Sequence, residues 1–154
     1  MKLTRYTDYA LRVLIYVGLR PEGFASIAEI AERYDISENH LMKVVQHLGR
    51  GGFLTTTRGR GGGVRLGRAA DAIRIGDVVR LTETDFDIAD CAHCAIGGSC
   101  RLTSIFATAT AAFMAVLDRY TLADVIKSGD PLRALLHLGV VSRKRPRSSH
   151  AGGH

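Results

Sequence analysis

Three cysteines are the residues best equipped for chemistry in this 154-residue chain, and all lie within ten positions: Cys91, Cys94 and Cys100. An odd, tightly clustered set is a poor disulfide framework. Two cysteines separated by two residues can grip one metal centre, and Gly97-Gly98 lets the chain turn so that the third thiolate comes round to join them. Zinc takes four ligands, and His93 stands in the same loop as a fourth. Iron–sulfur clusters are also held by cysteine thiolates, usually four, so three cysteines leave one iron for another ligand. Spacing alone does not choose between zinc and iron.

A second set of residues suits a polyanion. Residues 1–80 carry 13 basic and 8 acidic side chains, a charge of +5, whereas residues 81–141 carry 4 basic and 7 acidic, a charge of −3. A basic N-terminal part beside an acidic C-terminal part points to nucleic acid as the partner of the first part alone. Within it, Arg58-Gly59-Arg60-Gly61-Gly62-Gly63 is a basic, glycine-rich segment that brings backbone close to a duplex and offers Arg58 and Arg60 to a narrow, electronegative minor groove.

The elements that must position these residues follow from periodicity. Tyr6 to Leu19 has helical spacing at Leu11, Leu14, Ile15 and Leu19. Ser26-Ile27-Ala28-Glu29 has the form of a capping box and opens a short helix ending near Arg33. Tyr34-Asp35-Ile36 makes the turn, and Ser37 caps a helix running to about Leu48 with Leu41, Val44, Val45 and Leu48 inward. Phe53 to Thr57 and Val64 to Leu66 are strands flanking the basic tip. Two helices joined by a short turn and followed by a basic hairpin form a winged helix-turn-helix, whose second helix presents its N-terminal residues to base edges. Ser37, Glu38, Asn39, His40 and Lys43 are therefore the candidate DNA contacts on that helix.

Farther on, Ile75 to Leu81 reads as a short helix and residues 90–100 as a loop. Arg101 to Tyr120 is the clearest helix, with Leu102, Ile105, Phe106, Ala109, Phe113, Val116, Leu117 and Tyr120 on one apolar face and mostly Ala and Thr opposite. A helix so poor in charge is expected to pack on a second subunit as well as on its own core. Leu122 to Lys127 adds a short helical turn, and the segment from Ser142, basic and rich in Ser, Gly and His, is expected to be disordered. The fold class is thus mainly α with a small β-hairpin. Its parts are a DNA-binding domain at 1–80, a linker helix and cysteine loop at 81–100, a dimerisation helix region at 101–127 and a basic tail at 142–154. The absence of an 18-residue apolar run argues against a membrane span, and Asp8 and Arg12 interrupt any signal-peptide core, which suggests a cytoplasmic protein. Without a general acid–base pair or substrate motif, an enzyme is not expected.

The stretches MKLTRYTDYALRVLIYV and ISENHLMKVVQHLGRGGFLTTTRGRGGGVRL, together with the C-x2-C-x5-C loop, resemble the NsrR nitric-oxide-sensing repressors. These belong to a winged-helix superfamily that also includes the iron–sulfur regulator IscR, and the likeness extends from Met1 to about Lys127. The resemblance implies a homodimer on double-stranded operator DNA and a [4Fe–4S] cluster, with [2Fe–2S] as the alternative, held by Cys91, Cys94 and Cys100. It implies Asp8, donated by the other subunit, as the fourth ligand, and nitric oxide as the signal that ends repression. Two other readings stand beside it: a regulator of iron–sulfur supply that responds to cluster occupancy, and a zinc-stabilised DNA-binding protein without a sensor.

Overall fold

The Thr4 hydroxyl accepts a hydrogen bond from the Thr7 backbone N–H (3.3 Å) and so caps α1, Arg5–Gly18. In this computed structural model, which describes residues 2–20 and 23–139, α1 is the centre of the core. Its Ala10, Val13, Leu14, Tyr16 and Val17 are buried. Around it pack α2 (Ile27–Tyr34) and α3 (Glu38–Arg50), then a hairpin of β1 (Leu54–Thr57) and β2 (Gly63–Leu66). After a short 3-10 turn come α4 (Ile75–Thr82), the cysteine loop, α5 (Arg101–Leu117), α6 (Leu122–Ile126) and α7 (Gly129–Leu135). The mainly helical fold with a small antiparallel hairpin agrees with the sequence reading, and the proposed tail at 142–154 lies outside the described residues.

Local chemistry explains the boundaries and corrects several expectations. The Ser26 hydroxyl accepts from the Glu29 N–H (3.1 Å), but the Glu29 carboxylate turns to other partners: Tyr16 donates to it at 2.6 Å and Arg20 at 2.5 Å. This joins α1 to α2 and does more than a local capping box would. Burial disfavours the Glu29 charge, yet the bonds from Tyr16 and Arg20 prevail and hold its carboxyl below the usual range. Burial, reinforced by the Glu29 contact, pushes the Tyr16 hydroxyl up to about 12. Asp35 ends α2 in the left-handed region (φ 52°). Ser37 occupies the N-cap of α3 but its side chain makes no capping bond. Helix α3 continues through Gly49 to Arg50, closing beyond the expected stop because Gly51 and Gly52 bond back to His47 and Gly49 carbonyls.

The hairpin pairs Leu54 with Leu66 and Thr57 with Gly63, and Ala25 exchanges two backbone hydrogen bonds with Val64 (2.9 and 2.8 Å). The wing is thereby fixed to the entrance of α2. Gly63 sits at that junction with φ 146°, and a Cβ there would lie 2.6 Å from the Ala25 carbonyl oxygen.

The chain between α4 and α6 is a closed excursion. The Ile75 N–H donates to the Tyr120 carbonyl (3.0 Å), and the Leu122 N–H donates to the Ile73 carbonyl (2.8 Å). Helix α6 returns to the core, with Leu122 buried against α1 and Thr121 and Asp124 forming a true capping box that the sequence reading passed over. Helix α5 ends at Leu117, three residues short of expectation, and its apolar residues divide between two sides. Phe106, Phe113, Met114 and Leu117 turn inward, whereas Leu102, Ile105, Ala109 and Val116 stay exposed, as does Tyr120 beyond the helix end.

Gly63→Ala is expected to lower unfolding free energy by about 1–3 kcal/mol, because both the backbone angle and the Ala25 carbonyl oppose a side chain there. A urea melt with an unchanged midpoint would refute this account of the wing junction.

Candidate DNA-reading face and cysteine loop

Helix α3 buries Leu41, Val44, Val45 and Leu48, which fixes the opposite side as free. At 3.6 residues per turn, Asn39, Lys43, Gln46 and Arg50 lie along its centre, and all four are exposed. Asn39 and Lys43 were expected there. Gln46, one turn beyond Lys43 and two beyond Asn39, was not, although its spacing was a readable signal. Met42 is half-exposed beside this row and offers an apolar surface of the kind that meets a thymine methyl. Ser37, Glu38 and His40 are exposed near the helix start. Ser37, having no capping bond, keeps its hydroxyl free.

Arg58 and Arg60 are exposed at the hairpin tip. Arg68 is not part of this surface: it donates to the Gly51 and Gly52 carbonyls (2.7 and 3.1 Å) and stacks over Phe53 at 4.5 Å, holding the exit from α3. Tyr6 reaches α3 from α1. Its hydroxyl donates to the Lys43 carbonyl (3.3 Å) and lies 3.1 Å from His47 Nδ1. Burial raises the Tyr6 hydroxyl pKa, with Arg50 pulling it back.

The cysteine segment is a loop, as expected, built from successive tight turns. The Cys94 N–H donates to Cys91 O (3.4 Å) and the Gly97 N–H to Cys94 O (3.0 Å). A Cβ at Gly97 would stand 2.2 Å from the Cys91 carbonyl oxygen, so glycine is what lets the loop close on itself. All three thiols are free, Cys91 and Cys100 half-buried and Cys94 exposed. Beside Cys91 opens a cavity of about 890 Å³ with mostly apolar walls from Phe86, Ile88, Phe106 and Met114. Arg80 at its rim is held by Asp118 (2.7 and 2.6 Å), which ties α4 to α5.

Among the described residues, no three His, Cys, Asp or Glu side chains stand close enough to share one metal ion. Three thiolates are donors that fit an iron–sulfur centre, in which they can be spread over more than one iron, and the apolar wall beside Cys91 is the kind of shell that limits solvent access. His93, the alternative fourth ligand, has its Nδ1 2.7 Å from Asp90 Oδ1. Asp8 pairs with Arg12 (2.9 Å) on the exposed side of α1 and lines a different cavity, with Lys2, Leu3, Arg5 and Leu11. The fold of one chain thus brings the cysteines into one loop and leaves Asp8 outside it.

Comparison with known proteins gives this arrangement a context. The profile of the family described as "Rrf2: Iron-dependent Transcriptional regulator" matches residues 3–128. The HTH-type transcriptional regulator NsrR of Bacillus subtilis (strain 168) is 49% identical over 144 residues, covering 90% of this chain and 99% of its own. The protein of the same name from Bacillus licheniformis is 46% identical over 142 residues, covering 88% and 99%. Among solved structures, CymR, the global cysteine regulator of B. subtilis, superposes with a TM-score of 0.70 at 27% identity, over 84% of this chain and 99% of its own. T. potens IscR does so with a TM-score of 0.70 at 26% identity, over 86% and 91%. The relatives are named as transcriptional regulators, not enzymes, and no described helix is long and apolar enough to cross a membrane.

Asn39→Ala or Gln46→Ala should reduce discrimination between cognate and altered DNA sites by about 1–3 kcal/mol. Arg58→Ala or Arg60→Ala should weaken binding broadly and flatten its salt dependence by about one unit of slope. Fluorescence anisotropy across a salt series checks both. Wing variants with unchanged affinity and slope would remove the hairpin from the interface.

Proposed function

Because this chain belongs to the Rrf2 family of transcriptional regulators, we propose that it is a homodimeric repressor whose grip on operator DNA depends on an iron–sulfur cluster and is released by nitric oxide. The observation that carries the reading is the set of three free thiols on one glycine-closed loop, with Cys91 on the wall of a mostly apolar cavity. Cys91, Cys94 and Cys100 would hold a [4Fe–4S] cluster, with [2Fe–2S] the alternative, and Asp8 of the partner subunit would supply the fourth ligand. The exposure of Asp8, away from its own chain's cysteines, supports donation across an interface. When bound, the cluster supplies iron that reacts with nitric oxide.

The chain's own residues make this effective. The exposed stripe of α5, Leu102, Ile105, Ala109, Ala112 and Val116, follows the three-and-four spacing of a helix–helix seam. Two such stripes give the dimer its axis and face the two reading heads toward successive half-sites. Half-sites one helical turn apart, about 34 Å, demand a fixed head separation. Ligands drawn from both subunits would tie that separation to the state of the loop. Ser37, Glu38, Asn39, His40 and Lys43 then meet the major groove, and Arg58 and Arg60 the adjacent minor groove.

Replacing Cys91, Cys94 or Cys100 by Ala should abolish iron and sulfide uptake on anaerobic reconstitution. Asp8→Ala should retain a cluster with an altered absorbance spectrum, and full occupancy with an unchanged spectrum would show that the ligand lies elsewhere. A colourless protein containing zinc would overturn the cluster altogether.

Anaerobic gel-shift titration tests the signal. The loaded protein should bind operator at least about tenfold more tightly than the nitrosylated or unloaded protein, a difference of about 1.4 kcal/mol. Equal affinities in all three states would refute the sensing role.

A further inference from the structure

We propose that Tyr6 and Glu83 are positioning residues for operator recognition, joining the stem of the cysteine loop to the reading helix through the first turn of α1. The proposal rests on the cluster-dependent reading above and concerns how the state of the loop reaches the DNA-binding face.

The first turn of α1 is attached on two sides. On one side, Glu83 Oε1 accepts from the Thr4 backbone N–H (2.7 Å) and from the Thr4 hydroxyl (3.0 Å). Three residues later the buried Thr7 hydroxyl donates to Thr82 Oγ1 (2.8 Å), which donates in turn to the Val78 carbonyl (2.9 Å). Thr82 ends α4, and Glu83 begins the stem that leads through Phe86 and Ile88 to Cys91. On the other side, Tyr6 grips α3 through the Lys43 carbonyl and His47, with its ring 5.8 Å from the His47 ring and tilted by 45°. Lys43 is itself on the exposed reading face. One turn of helix therefore holds the stem with Thr4 and Thr7 and the reading helix with Tyr6.

A shift of the stem displaces Thr4 through Glu83, and Tyr6 carries that displacement to α3 at a point between Lys43 and His47. Apolar packing between α1 and α3 holds the helices together without strong directionality, whereas the hydrogen bonds between them are directional. The polar arms therefore set where α3 stands along the groove. Each arm is a small number of hydrogen bonds, enough for a change of about fivefold in affinity.

The test compares wild type, Tyr6→Phe, Glu83→Ala, Glu83→Gln and the Tyr6→Phe/Glu83→Ala double variant, as full chains. The quantity read is the ratio of operator affinity between cluster-loaded and cluster-free protein, with iron content and thermal midpoint recorded for each. Tyr6→Phe and Glu83→Ala should each reduce the ratio about fivefold, the double variant no further than either single one, because both lie on one path. Glu83→Gln keeps an acceptor oxygen and should restore the wild-type ratio. In the cluster-free chain, Tyr6→Phe should also speed hydrogen exchange at α3 amides around Lys43 and His47, with α2 unchanged.

A wild-type ratio above about ten with unchanged ratios in the variants overturns the coupling alone. So do losses that add in the double variant, or a Glu83→Gln protein that behaves as Glu83→Ala. A wild-type ratio of one overturns the sensing reading itself, and the coupling with it.

Discussion

A single buried hydroxyl chain, from Thr7 to Thr82 to the Val78 carbonyl, fixes where the chain leaves the DNA-reading domain. Both threonines are buried, so each unmade bond there would cost about 1–3 kcal/mol. The Thr7 and Thr82 hydroxyls each have a partner. The end of α4 is therefore held against the start of α1, and everything that follows begins from that fixed point. The return is equally well determined, by the backbone pairing of Ile73 and Arg74 with Thr121 and Leu122.

Between these anchors the protein changes character. The reading domain is packed around α1, with large side chains such as Tyr16, Leu14 and Ile30 fully buried. Helix α5, by contrast, buries only Met114 and leaves a stripe of apolar side chains about half exposed. A helix of 17 residues with that surface exposes an unusual amount of apolar area, which is what supports the subunit interface proposed above. The Arg80–Asp118 pair, bidentate but largely exposed, orients α5 more than it stabilises it.

Sequence periodicity made the reading domain legible because its helices have one buried face each and its turns carry Gly, Asp and Ser where backbone geometry needs them. The cysteine loop was legible from residue type alone. Less visible were interactions between segments distant in sequence. Glu29 looked like half of a local capping box, but Tyr16 of α1 and Arg20 just beyond its end claim its carboxylate. Helix α5 looked as though it had one apolar face because Phe106 and Phe113 interleave with Ile105 and Ala109, and only tertiary packing separates the inward set from the outward one. Helix α7 went unread, since Gly129, Pro131 and a short run of leucines carry no clear period. Tyr6 gave no signal at all, because its partners are about forty positions away.

The hydrogen bond from Ile75 to Tyr120 has a consequence for how such a chain can diversify. A segment whose ends are already tied together can change length at small entropic cost, about 0.6 kcal/mol for a doubling. The spacing between the cysteines, and the length of the arm beyond them, can therefore drift while the reading domain keeps its packing. The cysteine loop and the reading domain are mechanically joined at two seams yet free to be edited separately, so one architecture can vary its loop without disturbing how the reading helix and wing are held.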